Sequence, residues 1–323
     1  MAVYTQVFES ELNPFLHGYG LSEHYQLQGL MGGTENTTYR VSYTEAEGQH
    51  RGSDKSYILT LFEQGDHSDL GYFVSLLTQL KDKGINTVAA PIADQQGHYL
   101  QTLAGKPALL FPCLNGSHPE QPSIEQARAI GQWLGQMHIT AQSFDLHKPN
   151  LRSIDWMKHV APDLLPLLDE MDQQLMQLEI SHFTDLLEEY PNLPEGILHG
   201  DLFRDNTFYE GDKLTGVIDF YNGCNGHLLY DLSVVLNDWS CQDGNAPDLA
   251  LQSALLEAYE GVRPLTDEER RALPSYLRAC ALRYWISRLL AKHLAEEEEH
   301  DHGYKDPEHY KLILLNRVKQ AGW

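Results

Sequence analysis

Hydrophobic and polar positions change their period about a third of the way along the chain. Before that point the apolar runs are short and strand-like. Tyr39, Val41 and Tyr43 alternate with Arg40 and Ser42, and residues 57–62 form a compact apolar run between polar turns; both read as strands of one sheet. Between 69 and 83, Leu70, Phe73, Leu76, Leu77 and Leu80 recur at threes and fours and Gly84 stands where a helix would end, so one helix is expected among the strands. A hairpin follows over 99–114, with its turn at 104–106 and its return strand at 109–111. From 123 onward the texture is helical. Ser123 and Gln126 have capping-box spacing, and Ala127, Ile130, Leu134, Met137 and Ala141 mark one face of a long helix. Residues 151–190 and 247–320 also read as amphipathic helices, with Pro264 and Pro274 as breaks. The exception is a β-like island over 197–219.

Composition narrows the picture. A chain of 323 residues suggests two compact units, and no internal repeat is present. Its 46 acidic against 23 Lys and Arg residues leave a net charge of −23, which disfavours nucleic acid and anionic membranes as partners. Cys113, Cys224, Cys241 and Cys280 are dispersed without a CxxC pair and read as reduced thiols. No run approaches a membrane span and the start lacks the basic segment of a signal peptide, so a cytoplasmic protein is expected. GxSxG, GxGxxG and GxxxxGK are all absent from the sequence, which turns the reading away from hydrolase, dinucleotide-binding and P-loop chemistry. The acidic run at 296–299 and the neighbouring His300, Asp301 and His302 have no metal-site spacing and read as a solvated acidic loop.

The chemistry concentrates in the β island. His-Gly-Asp-Leu-Phe-Arg-Asp-Asn occupies 199–206, and Asp219 follows at the end of the next apolar strand. Asp201 and Asn206 have the separation found in the catalytic loop of kinase-type phosphoryl transfer, where the Asp orients the hydroxyl nucleophile and the Asn holds a metal. A turn at 210–213 folds a hairpin whose return strand brings Asp219 back beside Asn206, so that two oxygen ligands converge where Mg2+ can bridge nucleotide phosphates. His199 buttresses the loop. Arg204 has three possible partners: Asp219, Asp231 or a phosphate. Asp231 reads as structural, holding the loop through backbone amides. Any one of these residues alone is more often an ordinary turn or cap; the three separations together carry the reading.

HGDLFRDN, then GVIDFY at 216–221, then YDLSVVLNDW at 230–239 resembles the aminoglycoside phosphotransferase and choline kinase superfamily, and more closely its bacterial homoserine kinase branch. The likeness runs nearly end to end, through GGTENTTY at 32–39, YILTLFE at 57–63, FPCLNG at 111–116, PNLRSIDW at 149–156 and VRPLTDEER at 262–270, then RACALRYWISRL at 278–289 and KDPEHY at 305–310. The resemblance implies an α+β, two-lobed protein-kinase-like fold: an N-terminal antiparallel sheet lobe with one helix over 1–112, which binds nucleotide, and a larger, mainly helical catalytic and acceptor-binding lobe over 113–323, hinged near 111–116. It implies ATP and Mg2+ as cofactors and transfer of the γ-phosphoryl to L-homoserine on the route to threonine. Asp201 matches the catalytic Asp and Asn206 and Asp219 the metal ligands. Gly32, Gly33, Thr34 and Asn36 match the turn that covers the phosphates.

One departure stands out. The third strand of protein kinases carries a Lys for the phosphates, and here Thr60 holds that place; the partner Glu of the next helix is absent too. Lys55, Lys106 and Arg204 are the candidates for the missing charge. An amino-acid acceptor needs a guanidinium for its carboxylate, for which Arg283 and Arg288 are expected, and a partner for its ammonium, for which Tyr221, Asn222, Asn237 and Asp238 are expected. Tyr284 and Trp285 read as core. Two alternatives stay open: a cationic alcohol such as choline or an aminoglycoside as acceptor, which the negative charge would suit, or a nucleotide-binding pseudokinase. Oligomeric state is not legible.

Overall fold

The computed structural model describes residues 4–30, 36–43, 55–63, 67–244, 246–297 and 304–321. The chain divides into two compact units, one of Met1–Asn115 with Thr215–Ile218, the other of Gly116–Leu214 with Asp219–Trp323.

The first unit is built on a five-stranded antiparallel sheet. Helix α1 (Glu9–Gly18) precedes β1 (Gln26–Gly29), β2 (Asn36–Tyr43) and β3 (Lys55–Phe62); α2 (Leu70–Asp82) then leads to β4 (Gln101–Leu103) and β5 (Lys106–Pro112). The order across the sheet is β1-β2-β3-β5-β4. Pairing places Tyr39 opposite Leu59 and Val41 opposite Tyr57, while Leu59 meets Leu110. The period of two therefore gathers Tyr39, Val41, Leu59, Leu61 and Leu110 on one face, where Leu12 and Leu16 of α1 close the core. Helix α2 buries the five residues its spacing singled out, Leu70, Phe73, Leu76, Leu77 and Leu80. The β4–β5 turn uses Ala104 and Gly105, both with positive φ, as a tight two-residue hairpin requires.

In the second unit, α3 (Ile124–Ala141) starts at the capping box foreseen for Ser123 and Gln126, with reciprocal bonds of 3.1 and 3.0 Å. There follow α4 (Ile154–Leu164), α5 (Glu170–Glu189), β6 (Glu195–Leu198), β7 (Thr207–Glu210), β8 (Lys213–Val217, of which Thr215 onward belongs to the first unit), β9 (Cys224–His227), α6 (Leu229–Ser240), α7 (Leu249–Glu260), α8 (Asp267–Glu297) and α9 (Pro307–Ala321). β7 and β8 form a hairpin, and β6 pairs antiparallel with β9, so the β island begins earlier and ends later than 197–219. Pro264 lies between α7 and α8 as expected, but Pro274 sits inside α8. The ring removes only the N–H that would reach the Arg270 carbonyl, and burial of Ala272, Tyr276, Leu277, Ala279 and Cys280 holds the helix across it.

Every residue of α6 is buried, as befits a helix with no polar face to offer water. Two of its polar side chains are engaged from a neighbouring helix: Arg317 of α9 donates to Asn237 Oδ1 at 2.8 Å and to Ser240 Oγ at 3.2 Å. A buried bidentate pair, Arg278 to Glu179 at 2.9 and 2.6 Å, ties α8 to α5. Among the described residues no helix is long and apolar enough to cross a membrane, and the four cysteines are free thiols.

Helices α3 and α7 cross so closely that a Cβ on Gly131 would lie 2.3 Å from the backbone oxygen of Leu255. Gly131→Ala is expected to destabilise the protein by about 1–3 kcal/mol, seen as a lower midpoint in a thermal scan. Gly71→Ala, in α2 with nothing within 4 Å of the added carbon, is expected to hold or raise the midpoint; equal behaviour of the two variants would contradict the close crossing.

Candidate active site

The loop after β6 is shaped from below by one carboxylate. Asp231, in the first turn of α6 and fully buried, accepts the backbone N–H of His199 at 2.6 Å and of Gly200 at 2.8 Å on its two oxygens. Gly200 has φ +81°, and a Cβ there would lie 2.5 Å from the carbonyl oxygen of Asn222; only glycine fits. The same contact shows that the turn after Asp219 rests on the loop, as does the 4.3 Å stacking of His199 on Phe220.

Behind Asp231 runs a buried polar chain. His138 Nε2 lies 3.3 Å from the carboxylate and its Nδ1 2.8 Å from the Tyr259 hydroxyl; that hydroxyl accepts from Arg263 at 3.0 Å, and Arg263 pairs with Glu269 at 2.8 Å. Burial pushes the His138 imidazole below its ordinary pKa, against the pull of Asp231, so the ring is neutral. Since Arg263 donates to Tyr259, the hydroxyl donates to Nδ1 and the Nε2 proton faces Asp231.

Asp201 is half-buried. Its Oδ1 accepts from the Tyr284 hydroxyl at 2.9 Å, an atom also 3.1 Å from the Gly200 carbonyl. The backbone carbonyl of Asp201 takes the Nδ2 hydrogen of Asn206 at 2.8 Å, which fixes the amide and leaves its Oδ1 as the atom for a cation. Asp219 ends the return strand of the hairpin that starts beside Asn206. It is exposed and left-handed, at φ 63° and ψ 58°, a conformation Asp tolerates at a modest cost and one common at functional turns. The oxygen pair Asn206 and Asp219 suits a hard divalent cation that keeps several waters. No group of three or more His, Cys, Asp or Glu among the described residues is placed to hold a metal; His300, Asp301 and His302 lie outside the described residues.

Other expectations are redirected. Arg204 pairs with neither Asp219 nor Asp231, two of its foreseen partners, but with Asp238. Its backbone N–H and its Nε both donate to Asp238 Oδ2, at 2.8 and 3.1 Å, and its NH1 to the Glu120 carbonyl at 3.1 Å. Asp238 is thereby committed to Arg204, although burial pushes its carboxyl upward against that pairing. Asn237 is spent on the Leu277 carbonyl at 2.8 Å and on Arg317, and Arg288 on the Asp306 carbonyl at 2.9 Å. None of these residues lines the pocket described next. In the first unit Thr60 is buried opposite Thr38 and Leu109, Asn36 opens β2, Lys55 is exposed at the start of β3, and Lys106 is engaged by Glu63, 3.0 Å from its carbonyl and 3.4 Å from its carboxylate. Gly32, Gly33 and Thr34 lie outside the described residues.

A pocket of about 210 Å³ adjoins the loop, lined by Gly200, Tyr221 and Arg283 together with Lys148 and Arg152. Tyr221, Asn222 and Arg283, all singled out in the sequence, line it. Lys148, Arg152 and the hydroxyl of Tyr284 were not singled out: Lys148 lies in a stretch with no periodicity, Arg152 falls in 151–190, read as helix although α4 begins only at Ile154, and Tyr284 is buried, as a core residue would be, while its one polar atom bonds Asp201.

The comparisons with known proteins place the chain in a family. The sequence pattern of the phosphotransferase enzyme family matches residues 26–265, and the chain belongs to that family. Over nearly its whole length it is similar to homoserine kinases: it is 39% identical over 316 residues to that of Neisseria meningitidis serogroup B, covering 98% of this chain and 99% of the relative. To that of Methylobacillus flagellatus it is 38% identical over 320 residues, covering 98% and 96%. Among solved structures, an amicoumacin kinase in complex with AMP-PNP, Ca2+ and Ami shares the fold at a TM-score of 0.64 and 18% identity, covering 91% of this chain and 87% of that one.

Tyr284→Phe removes a donor from Asp201 with little change of shape. A hydrogen bond to a charged group is worth about 1.5–3 kcal/mol, so kcat is expected to fall about 10- to 100-fold with KM for ATP nearly constant. A kcat equal to that of the wild type would remove Tyr284 from the site.

Proposed function

We propose that the chain is an ATP-dependent homoserine kinase that makes O-phospho-L-homoserine, the step that feeds threonine synthesis. The observation that carries the reading is Asp201, held by Tyr284 through one carboxylate oxygen next to a pocket whose wall includes Gly200 and Arg283; the likeness to homoserine kinases over nearly the full chain supports the choice of alcohol.

In this reading Asp201 Oδ2 takes the hydrogen bond of the acceptor's side-chain hydroxyl and receives its proton as the oxygen attacks the γ-phosphorus in line, with ADP leaving on the opposite side. No phosphoenzyme forms. Asn206 Oδ1 and the Asp219 carboxylate would hold Mg2+, which when bound offsets phosphate charge. Between them they carry one formal negative charge, so the cation keeps excess charge for the nucleotide. His199 and Arg204 act at one remove: the first packs under the loop on Phe220, and the second fixes the 204–206 turn through Asp238. In the first unit we assign nucleotide contacts to Gly32, Gly33, Thr34, Asn36 and Thr60. The substrates are cytoplasmic metabolites, and we assign the reaction to the cytoplasm.

The carboxylate-free wall of the pocket speaks against choline and aminoglycosides, since a cationic acceptor would meet Arg283 and neighbouring cations. ADP release from Mg-ATP is expected to be stimulated by L-homoserine and not by choline, ethanolamine or an aminoglycoside, each against a blank without acceptor. Asp201→Asn is expected to lower kcat by about 10²–10⁴ while nucleotide binding, followed by calorimetry, persists. Stimulation by one of the cationic alcohols alone would replace the proposed acceptor, and full activity of Asp201→Asn would remove the proposed base.

A further inference from the structure

The pocket beside Gly200 has a charge opposite to that of the chain around it. Among the described residues Lys148, Arg152 and Arg283 contribute to its wall and no Asp or Glu does, in a protein of net charge −23. Arg283 projects from α8 with 6% of its surface exposed, and its Nε makes no hydrogen bond. A buried donor left unmade is costly, more so on a charged group, and the cost is removed when an acceptor enters. The guanidinium lies 4.0 Å from the centroid of the Tyr284 ring, which holds its plane.

The segment that carries Lys148 and Arg152 is also fastened in place. Lys148 N–H donates to Asn225 Oδ1 at 2.8 Å, and Asn225 N–H donates to the Lys148 carbonyl at 2.7 Å, so the loop is fastened to β9. Asn150 Oδ1 then accepts the Arg152 N–H at 2.8 Å, turning the chain into α4. The volume, about 210 Å³, lies below the roughly 300–1,000 Å³ of sites for drug-sized ligands and suits a single small acceptor.

We infer that this pocket is a carboxylate subsite: Arg283, with Arg152 and Lys148 in the same lining, takes the α-carboxylate of the acceptor, and selects hydroxy amino acids over alcohols that lack the carboxylate. A planar guanidinium matches the two carboxylate oxygens in a way an ammonium does not. The Tyr284 ring that carries Arg283 also gives its hydroxyl to Asp201, so one side chain sets the distance between the group that holds the carboxylate and the group that meets the hydroxyl. The inference rests on the homoserine kinase reading for the identity of the alcohol and on the pocket alone for its charge.

The test compares kcat/KM for L-homoserine with that for 2-amino-1,4-butanediol, the same alcohol with its carboxylate reduced to CH2OH. The wild type is expected to prefer L-homoserine by about 10³-fold or more, as a site whose buried polar groups are left unpaired by the analogue does. In Arg283→Met, and in Arg152→Gln at an exposed position where folding is not at risk, that preference is expected to fall at least about ten-fold. A preference unchanged in both variants, or in Arg152→Gln and Arg283→Lys if the Met variant does not fold, overturns the subsite and leaves the kinase reading standing. If another carboxylate-bearing alcohol such as L-serine is turned over in place of homoserine, with the preference again lost in the variants, the subsite stands and the choice of alcohol falls. Turnover of the diol or of choline in preference to any amino acid overturns both.

Discussion

A carboxylate with no access to water persists in a folded protein only when its oxygens are engaged, because an uncompensated buried charge costs several kcal/mol. Asp231 meets that condition by taking the N–H groups of His199 and Gly200, and in doing so it dictates the backbone of the catalytic loop. The left-handed turn at Gly200 follows, and with it the approach of Asn222 and the seat of Phe220 on His199. Asp201 comes next in the chain and inherits its position. The neutral His138, Tyr259, Arg263 and Glu269 extend this arrangement through the interior, so the second unit treats the loop as part of its core. Rigid support of this kind suits a reaction in which positioning supplies most of the rate.

Much of this was legible in the sequence because it is local. The periods of two and 3.6 located the central strands and α2, the capping box located α3, and the segment holding Asp201, Asn206 and Asp219 does contain the expected β7–β8 hairpin. What was hidden depends on tertiary contacts. Helix α6 is buried on all sides and shows no amphipathic period; β9 is short and finds its partner β6 across the chain. Asn237 and Asp238 looked available because polar residues in a helix usually face solvent, whereas both are consumed by arginines brought from Arg317 and Arg204. The breaking power assigned to Pro274 was overridden by the burial of the residues around it.

Family membership fixes the chemistry more tightly than the acceptor. The shared fold at 18% identity with an amicoumacin kinase carries no information about which alcohol fits here. Discrimination has to come from the pocket wall, and there the net charge of the chain misleads. Acidic residues outnumber basic ones over the whole chain, while the charged groups that line the pocket, Lys148, Arg152 and Arg283, are all cationic. A site of local charge sign opposite to the global one is sensed only at short range, within about 10 Å at moderate ionic strength.

The first unit is not continuous in sequence. Thr215–Ile218 belongs to it, and Val217 gives its carbonyl to the Ala89 N–H at 3.3 Å and its N–H to the Thr87 carbonyl at 2.8 Å. On the ribosome, therefore, residues 87–89 emerge long before the strand that satisfies them. At translation rates of about 5–20 residues per second the wait is roughly 6–26 s. Throughout that interval the segment holds open backbone groups next to an otherwise formed sheet, which is when a nascent chain is most prone to pair with the wrong strand.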